Sequence, residues 1–265
     1  LNFLNPSRIQ DYADKMMDEP LACIFKIKEK KGAKMTKTEL EKNLSDFDLK
    51  IRTSALRELL FLTKEQPRST DMINLHFHTF YSYNSESWSP SRIAWESWKN
   101  GLFASGIVDF DVIDGMEEFL EASKLLGIRA CAGVETRRFF AKFANAEMDS
   151  PGEPGVNYVM GVGFTKNFPK DSFQSLKLAG YRENARRRNL ALIERINSVL
   201  NETAVDYDKD VLPLTPSGNA TERHIISAYV QKSFDVFKTE RETFEHMSKI
   251  FGKTTDELAG IFKTS

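Results

Sequence analysis

The sequence predicts a parallel α/β protein preceded by helices, and three observations carry that prediction. From residue 72 onward, short apolar strands alternate with helices bounded by proline or glycine, as in sheets whose parallel strands are buried on both faces. Each of the first three strands ends in imidazole or carboxylate side chains, at the edge where parallel barrels gather their active sites. The composition, 265 residues with 41% hydrophobic and 28% charged, suits a soluble chain able to bury a sizeable core, as one large or two small domains.

Residues 1–70 read as a helical extension and residues 71–265 as the α/β domain. Pro6 and Ser7 start one helix, and Thr36 with Glu39 forms a capping box for another. Ile51, Ala55, Leu59 and Leu62 recur at helical spacing, and the lysine run 26–34 reads as a solvated face. Residues 72–76 form the first strand. Pro90 opens a helix that Gly101 closes, and residues 103–108 form the second strand. A helix over 115–126 ends at Gly127, strands follow at 128–134 and 156–164, and 148–155 is a loop. Residues 185–200, 221–237, 239–251 and 255–262 read as helices.

Net charge is -1, with 37 basic and 38 acidic residues, which disfavours nucleic acid as a partner. Cys23 and Cys131 lie far apart and suggest neither a zinc ribbon nor a disulfide framework. No signal peptide or bilayer-length apolar run is visible, so the expectation is a cytoplasmic protein without a membrane partner. The chain starts without Met and stops just after a helical pattern, which reads as a fragment.

The sharpest chemical feature is His76-Phe77-His78, because alternate strand residues point the same way and can hold one metal together. Such a pair is also found as polar surface, so its context decides. The second strand ends in Asp109-Phe110-Asp111 and the third in Gly133-Val134-Glu135-Thr136. One acidic strand end is commonly a cap or a turn, whereas three in succession point to a site.

His76-x-His78-Thr79, the Pro90 helix closed by Gly101, Asp109-x-Asp111 and Gly133-x-Glu135 together resemble the opening of PHP (polymerase and histidinol phosphatase) domains across residues 72–136. The resemblance resumes at Glu222-Arg223-His224-Ile225, where the family sets a metal-binding His at a helix start after a glycine-containing loop, here Ser217-Gly218-Asn219. It implies a distorted (β/α)7 TIM-like barrel, incomplete if the chain is a fragment, that hydrolyses phosphate esters with one to three manganese, iron or zinc ions. In family terms His76 and His78 bind one ion, Glu135 bridges two and His224 ligates another. Imidazole and carboxylate suit such ions, which acidify water and neutralise phosphoryl charge. Glu135 and Asp111 are the candidate catalytic acids.

The chain departs from the family where Phe110 replaces a metal-binding His, Tyr83 an acid, and Tyr158 or Val159 another His; the late His-Pro and Asp-x-His elements have no match. Either the remaining ligands lie beyond residue 265 or the site is rebuilt around fewer ions. Asp109 and Asp111 are the carboxylates available as substitute ligands, although Asp109 equally suits a turn cap. His246, inside a helix, is expected at the surface.

For substrate phosphate the candidates are Arg223 and, from the run Arg186-Arg187-Arg188, Arg186; successive helical residues diverge, so at most two of the three face a site. The aromatic residues between Phe77 and Trp98 are expected in core and loop packing, and residues 79–89 as a substrate-facing loop. The resulting expectation is a metal-dependent hydrolase of a small phosphorylated metabolite. The alternative is a non-catalytic relative with a degenerate site. Oligomeric state is not fixed by the sequence, and a polymerase-associated module is disfavoured by the balanced charge.

Overall fold

Between Met35 and Leu62 the helical signal resolves into two helices, α1 (Lys37–Asn43) and α2 (Leu49–Leu62). A computed structural model describes residues 35–257 except 64, 66 and 151. The expectations for the helix at Pro6, the lysine run 26–34 and most of the helix 255–262 lie outside the described residues. Two units divide the chain, Leu1–Thr36 and Lys37–Ser265, and every element named below belongs to the second. Asp48 caps α2 by accepting the Lys50 N–H at 2.8 Å. The buried stripe of α2 runs through Arg52, Ala55, Leu56 and Leu59, while Ile51 is exposed. The apolar spacing thus identified the helix but misplaced its face by about one residue, because a buried ion pair draws Arg52 inward.

That pair is closed on all sides. Arg52, 1% exposed, donates from Nε and Nη2 to the two Glu118 oxygens at 2.8 and 2.5 Å, and from Nη1 to the Asp46 carbonyl at 2.6 Å. Ser91 donates its N–H and hydroxyl to Glu118 Oε1 at 3.1 and 2.7 Å. The pair therefore ties α2 to α3 (Pro90–Lys99) and α4 (Met116–Leu126). Ser89 accepts the Arg92 N–H at the start of α3, with Pro90 in the first turn, and α4 ends on left-handed Gly127, as their sequence signals predict. Leu40, Leu59, Ile93, Trp95, Phe119 and Ile107 are among the side chains of one core shared by α1 to α4 and the sheet.

The sheet has four strands in the order β1 (Ile73–Phe77), β2 (Ala104–Phe110), β3 (Arg129–Phe139) and β4 (Val156–Val162). β1–β2 and β2–β3 are parallel, each with a helix in the crossover. β3–β4 is antiparallel, which corrects the expectation of a parallel strand at 156–164. A parallel return needs a crossover of a dozen or more residues, usually helical. The 140–155 connection is long enough for a crossover, but its described residues hold the single turn Ala141–Phe143 in place of a helix, and β4 returns antiparallel. The chain is thus α/β, with one open four-stranded sheet among the described residues.

Beyond β4 the chain is helical: α5 (Phe173–Asn197), α6 (Glu222–Phe237) and α7 (Glu240–Phe251). α5 begins twelve residues before the expected helix at 185, capped by Ser172, because Gly180 interrupts the helical signal without breaking the helix. Ile193, Tyr207, Val211, Ile225 and Tyr229 form a second core. Asn219, ahead of α6, joins this layer to the sheet by donating Nδ2 to the Phe110 carbonyl at 2.9 Å and to the Tyr81 carbonyl at 3.1 Å. No helix among the described residues is long and apolar enough to cross a membrane.

The β3–β4 approach yields the first prediction. A Cβ at Gly133 would lie 2.5 Å from the Gly161 carbonyl oxygen, whereas one at Gly180 on α5 meets nothing within 4 Å. Gly133→Ala should lower unfolding free energy by about 1–3 kcal/mol or more, and Gly180→Ala should raise it by up to about 1 kcal/mol. Urea denaturation of both variants checks this; equal effects would contradict the close strand packing.

Candidate metal centre

β1 carries the first two donors out of the regular sheet. Asn74 Oδ1 accepts the His76 N–H at 2.9 Å, and the β1–β2 register slips between Asn74 and Phe77. Asn84 Nδ2 then holds the His78 carbonyl at 2.9 Å. β3 supplies Glu135, opposite Phe110 of β2 and Met160 of β4. Glu135 Oε2 lies 3.1 Å from His76 Nε2 and 3.3 Å from His78 Nε2. The three residues offer donor atoms all within 4.8 Å of one another, and among the described residues no other three His, Cys, Asp or Glu side chains meet so closely.

The environment tunes these donors. Burial, and then the adjacent His76, push the His78 imidazole down to about 4, so it is neutral near pH 7 with a lone pair to give. Burial raises the Glu135 carboxyl, against the pull of His76, and the charge of Asp149 raises it further. Two ligands of one transition ion, each about 2.1 Å from it, stand no more than about 4.2 Å apart; the 3.1 and 3.3 Å separations satisfy that limit. His78 Nδ1 is buried without a hydrogen-bond partner, a state that costs about 1–3 kcal/mol. Two imidazoles and one carboxylate fit a divalent transition ion with open coordination positions, the pattern of catalytic rather than closed structural sites.

Beside the trio lies a cavity of about 650 Å³, lined by His78, Phe110, Asp111, Arg137, Arg188 and Arg223, among others. Asp111 is fixed there by a left-handed backbone (φ 60°), by its own N–H donating to the Glu135 carbonyl at 2.8 Å, and by the Thr136 hydroxyl donating to Oδ1 at 2.7 Å. Of the two arginines expected at phosphate, Arg223 lines the cavity. Arg186 does not; it lies over the Tyr207 ring at 5.7 Å and 4.0 Å from Asp208. Its helix neighbour Arg188 takes the cavity position, since successive residues of α5 point about 100° apart.

Two other expected ligands stand outside the trio. Asp109 is 1% exposed and accepts the Thr79 N–H and hydroxyl, both at 2.7 Å, and the Ser82 hydroxyl at 2.8 Å. It organises the β1–α3 loop, the turn-fixing role weighed for it from the sequence. His224 opens α6, where its Nδ1 accepts the Thr221 N–H at 3.1 Å, and burial pushes its imidazole down to about 4. The loop 79–89 also divides: Tyr83 reaches the cavity, but Thr79 and Ser82 are buried around Asp109. Trp95 and Trp98 stack in the core. His246, expected at the surface, is only partly exposed; its side chain, 19% exposed, lies against the Phe237 ring at 4.5 Å.

Arg137 was missed by sequence reasoning although the signal was present. It follows Glu135 by two on one strand, and strand side chains alternate. Phe110 stacks on His78 with centroids 4.5 Å apart and planes 16° from parallel, and Tyr83 meets His224 edge-on at 5.3 Å. The two aromatic residues that depart from the metal-binding pattern thus pack directly on two of the expected ligands.

No known family model matches the chain, and no curated protein matches it. Among solved structures it is similar to a protein from Bifidobacterium adolescentis provisionally assigned as a metal-dependent phosphoesterase, with 23% identity and a TM-score of 0.49 over 68% of this chain and 56% of that one. It is also similar to an amidohydrolase from Chromobacterium violaceum, solved with sulfate and no metal, with 16% identity and a TM-score of 0.42 over 63% of this chain and 51% of that one. The chain spans about half the length of each.

Asp109 provides a pH prediction. Burial raises its carboxyl from 3.8 to about 6, so its favourable contribution is fully present below pH 3.8 and is lost as pH rises through about 6. Asp109→Asn, which cannot ionise, should therefore gain on the wild type by about 3 kcal/mol between pH 3.8 and 7. Denaturant titrations at the two pH values check this, and a constant gap between the proteins would show that Asp109 does not titrate in that window.

Proposed function

We propose that the chain carries the metal-binding part of a PHP-type phosphoesterase, acting on a small phosphorylated metabolite in the cytoplasm, with its sheet forming part of a (β/α)7 barrel. The observation that carries this reading is the His76–His78–Glu135 trio bordering a cavity lined by three arginines. A divalent manganese, iron or zinc ion held by the trio would supply Lewis acidity and acidify water.

The chain's own residues supply the rest. Arg137, Arg188 and Arg223 bind the phosphoryl oxygens through guanidinium N–H groups and offset negative charge as it grows. Asp111, held beside His78 by Thr136, accepts a proton at the carboxylate. Glu135, whose Oε2 lies close to both imidazole Nε2 atoms, would be the third ligand of that ion. The Phe110 and Tyr83 packing favours a second reading, a binding protein that keeps the cavity without turnover.

Elemental analysis of purified protein should find manganese, iron or zinc, lost in a His76→Ala/His78→Ala double variant, and adding the ion to stripped protein should raise the melting temperature. Glu135→Gln should reduce phosphoester turnover by about 100-fold or more, a loss of about 3 kcal/mol of transition-state stabilisation, without loss of the folded state. Absence of metal and of any thermal shift would reject the hydrolase in favour of the binding protein; undiminished turnover in Glu135→Gln would remove that residue from the chemistry.

A further inference from the structure

We infer that Asn219 is a positioning residue for Asp111, acting through the peptide unit between Phe110 and Asp111; this rests on the role of proton acceptor given to Asp111 above. Asp111 needs such support. Its backbone is left-handed (φ 60°), a region disfavoured for a residue with a Cβ, so the conformation persists only where the surroundings impose it. Two restraints come from β3: the Asp111 N–H donates to the Glu135 carbonyl at 2.8 Å, and the Thr136 hydroxyl donates to Oδ1 at 2.7 Å.

The third restraint comes from the other side. A trans peptide points its C=O and N–H in opposite directions, so while the Asp111 N–H reaches β3, the Phe110 carbonyl faces the side of β1. β1 ends at Phe77, whose partner on β2 is Ile107, short of Phe110. Where the strand no longer supplies a donor, Asn219 Nδ2 donates to the Phe110 carbonyl at 2.9 Å, and its second hydrogen goes to the Tyr81 carbonyl at 3.1 Å. Both neighbours are acceptors, which fixes the amide with its NH2 end toward them. Asn219 is 5% exposed, so little water is at hand to replace either bond.

One rigid plane is thus gripped at its oxygen by Asn219 and at its N–H by Glu135. Rotation of that plane changes φ of Asp111 and swings the carboxylate within the cavity that Asp111 and Asn219 both line. A proton acceptor works only within hydrogen-bond reach of its proton, and a misplacement of about 1 Å can cost about 100-fold in rate.

Turnover of p-nitrophenyl phosphate by the manganese-loaded chain separates positioning from a merely structural role. Asn219→Leu, similar in size but without a donor, should lower kcat by about tenfold or more and leave KM within about threefold. Asp111→Asn should lower kcat by about 100-fold. The double variant should fall no more than about twofold below Asp111→Asn, because a carboxylate already removed cannot be misplaced. A structural Asn219 would instead add its full loss to that of Asp111→Asn; that outcome, or wild-type kcat in Asn219→Leu, would overturn the assignment while leaving the phosphoesterase reading intact. Asn219→Ala, which removes the donor without adding bulk, goes through the same cycle if Asn219→Leu fails to fold. Wild-type kcat in Asp111→Asn would overturn the role of Asp111 and that of Asn219 with it, and no turnover by the wild type would overturn the phosphoesterase reading and the inference together.

Discussion

A carboxylate shut away from water, Asp109, is the constraint on which the functional end of the sheet depends. It is the penultimate residue of β2, and its two oxygens accept the Thr79 N–H and hydroxyl and the Ser82 hydroxyl. That turn begins one residue after His78, so the direction in which β1 delivers its histidines is set by a side chain on the neighbouring strand. Burying an ionisable group is unfavourable unless hydrogen bonds replace its water. Here they replace only part of it, and the carboxyl is pushed up to about 6. Phe110, next to Asp109 on β2, stacks on His78, and Tyr83, in the turn, meets His224 edge-on.

The same physics recurs on the far side of the helices. Glu118, paired with Arg52 and capped by Ser91, joins α2, α3 and α4 where their apolar stripes alone would allow sliding. Tyr81, in the turn that Asp109 organises, places its hydroxyl 3.4 Å from Arg52 Nη2. The two buried carboxylates are therefore linked through a short stretch of chain. Helices α1 and α2, which the sequence suggests as a separate extension, share one core with the sheet-covering helices.

Legibility in the sequence followed the physical range of each signal. Local signals sufficed for α3 and α4, where Pro90, Gly101 and Gly127 mark the ends, and for the opening strands, where apolar runs stop at polar ligands. The direction of β4 was not local information. It depends on whether the 140–155 segment forms a crossover, and nothing in its composition dictates the hairpin. The trio illustrates the same boundary: His76 and His78, at the end of β1 and just past it, are paired by the period of two, but Glu135 is 57 residues beyond His78 and joins them only through the β1–β2–β3 order. Both Asp109 and Asp111 are candidate ligands in sequence, with Asp111 favoured and Asp109 equally suited to a turn; Asp109 is buried under the loop, while Asp111, at φ 60°, lines the cavity. Backbone conformation separated them, and a left-handed aspartate carries no distinctive sequence signature.

The aromatic departures and the arginines are best understood together. Where the resemblance sets a metal-binding imidazole, the Phe110 ring stacks on His78 and offers no donor. Ions and guanidinium groups are different solutions to the same electrostatic need. An ion concentrates charge and activates water, whereas a guanidinium group spreads one charge over a planar set of donors and is always ionised. Glu222 then has a role in the resting state, because two guanidinium groups facing one cavity repel each other until a carboxylate lies between them. An anion entering between the two guanidinium groups would have to exchange with that carboxylate, so the attraction it gained would be set against the ion pairs it broke.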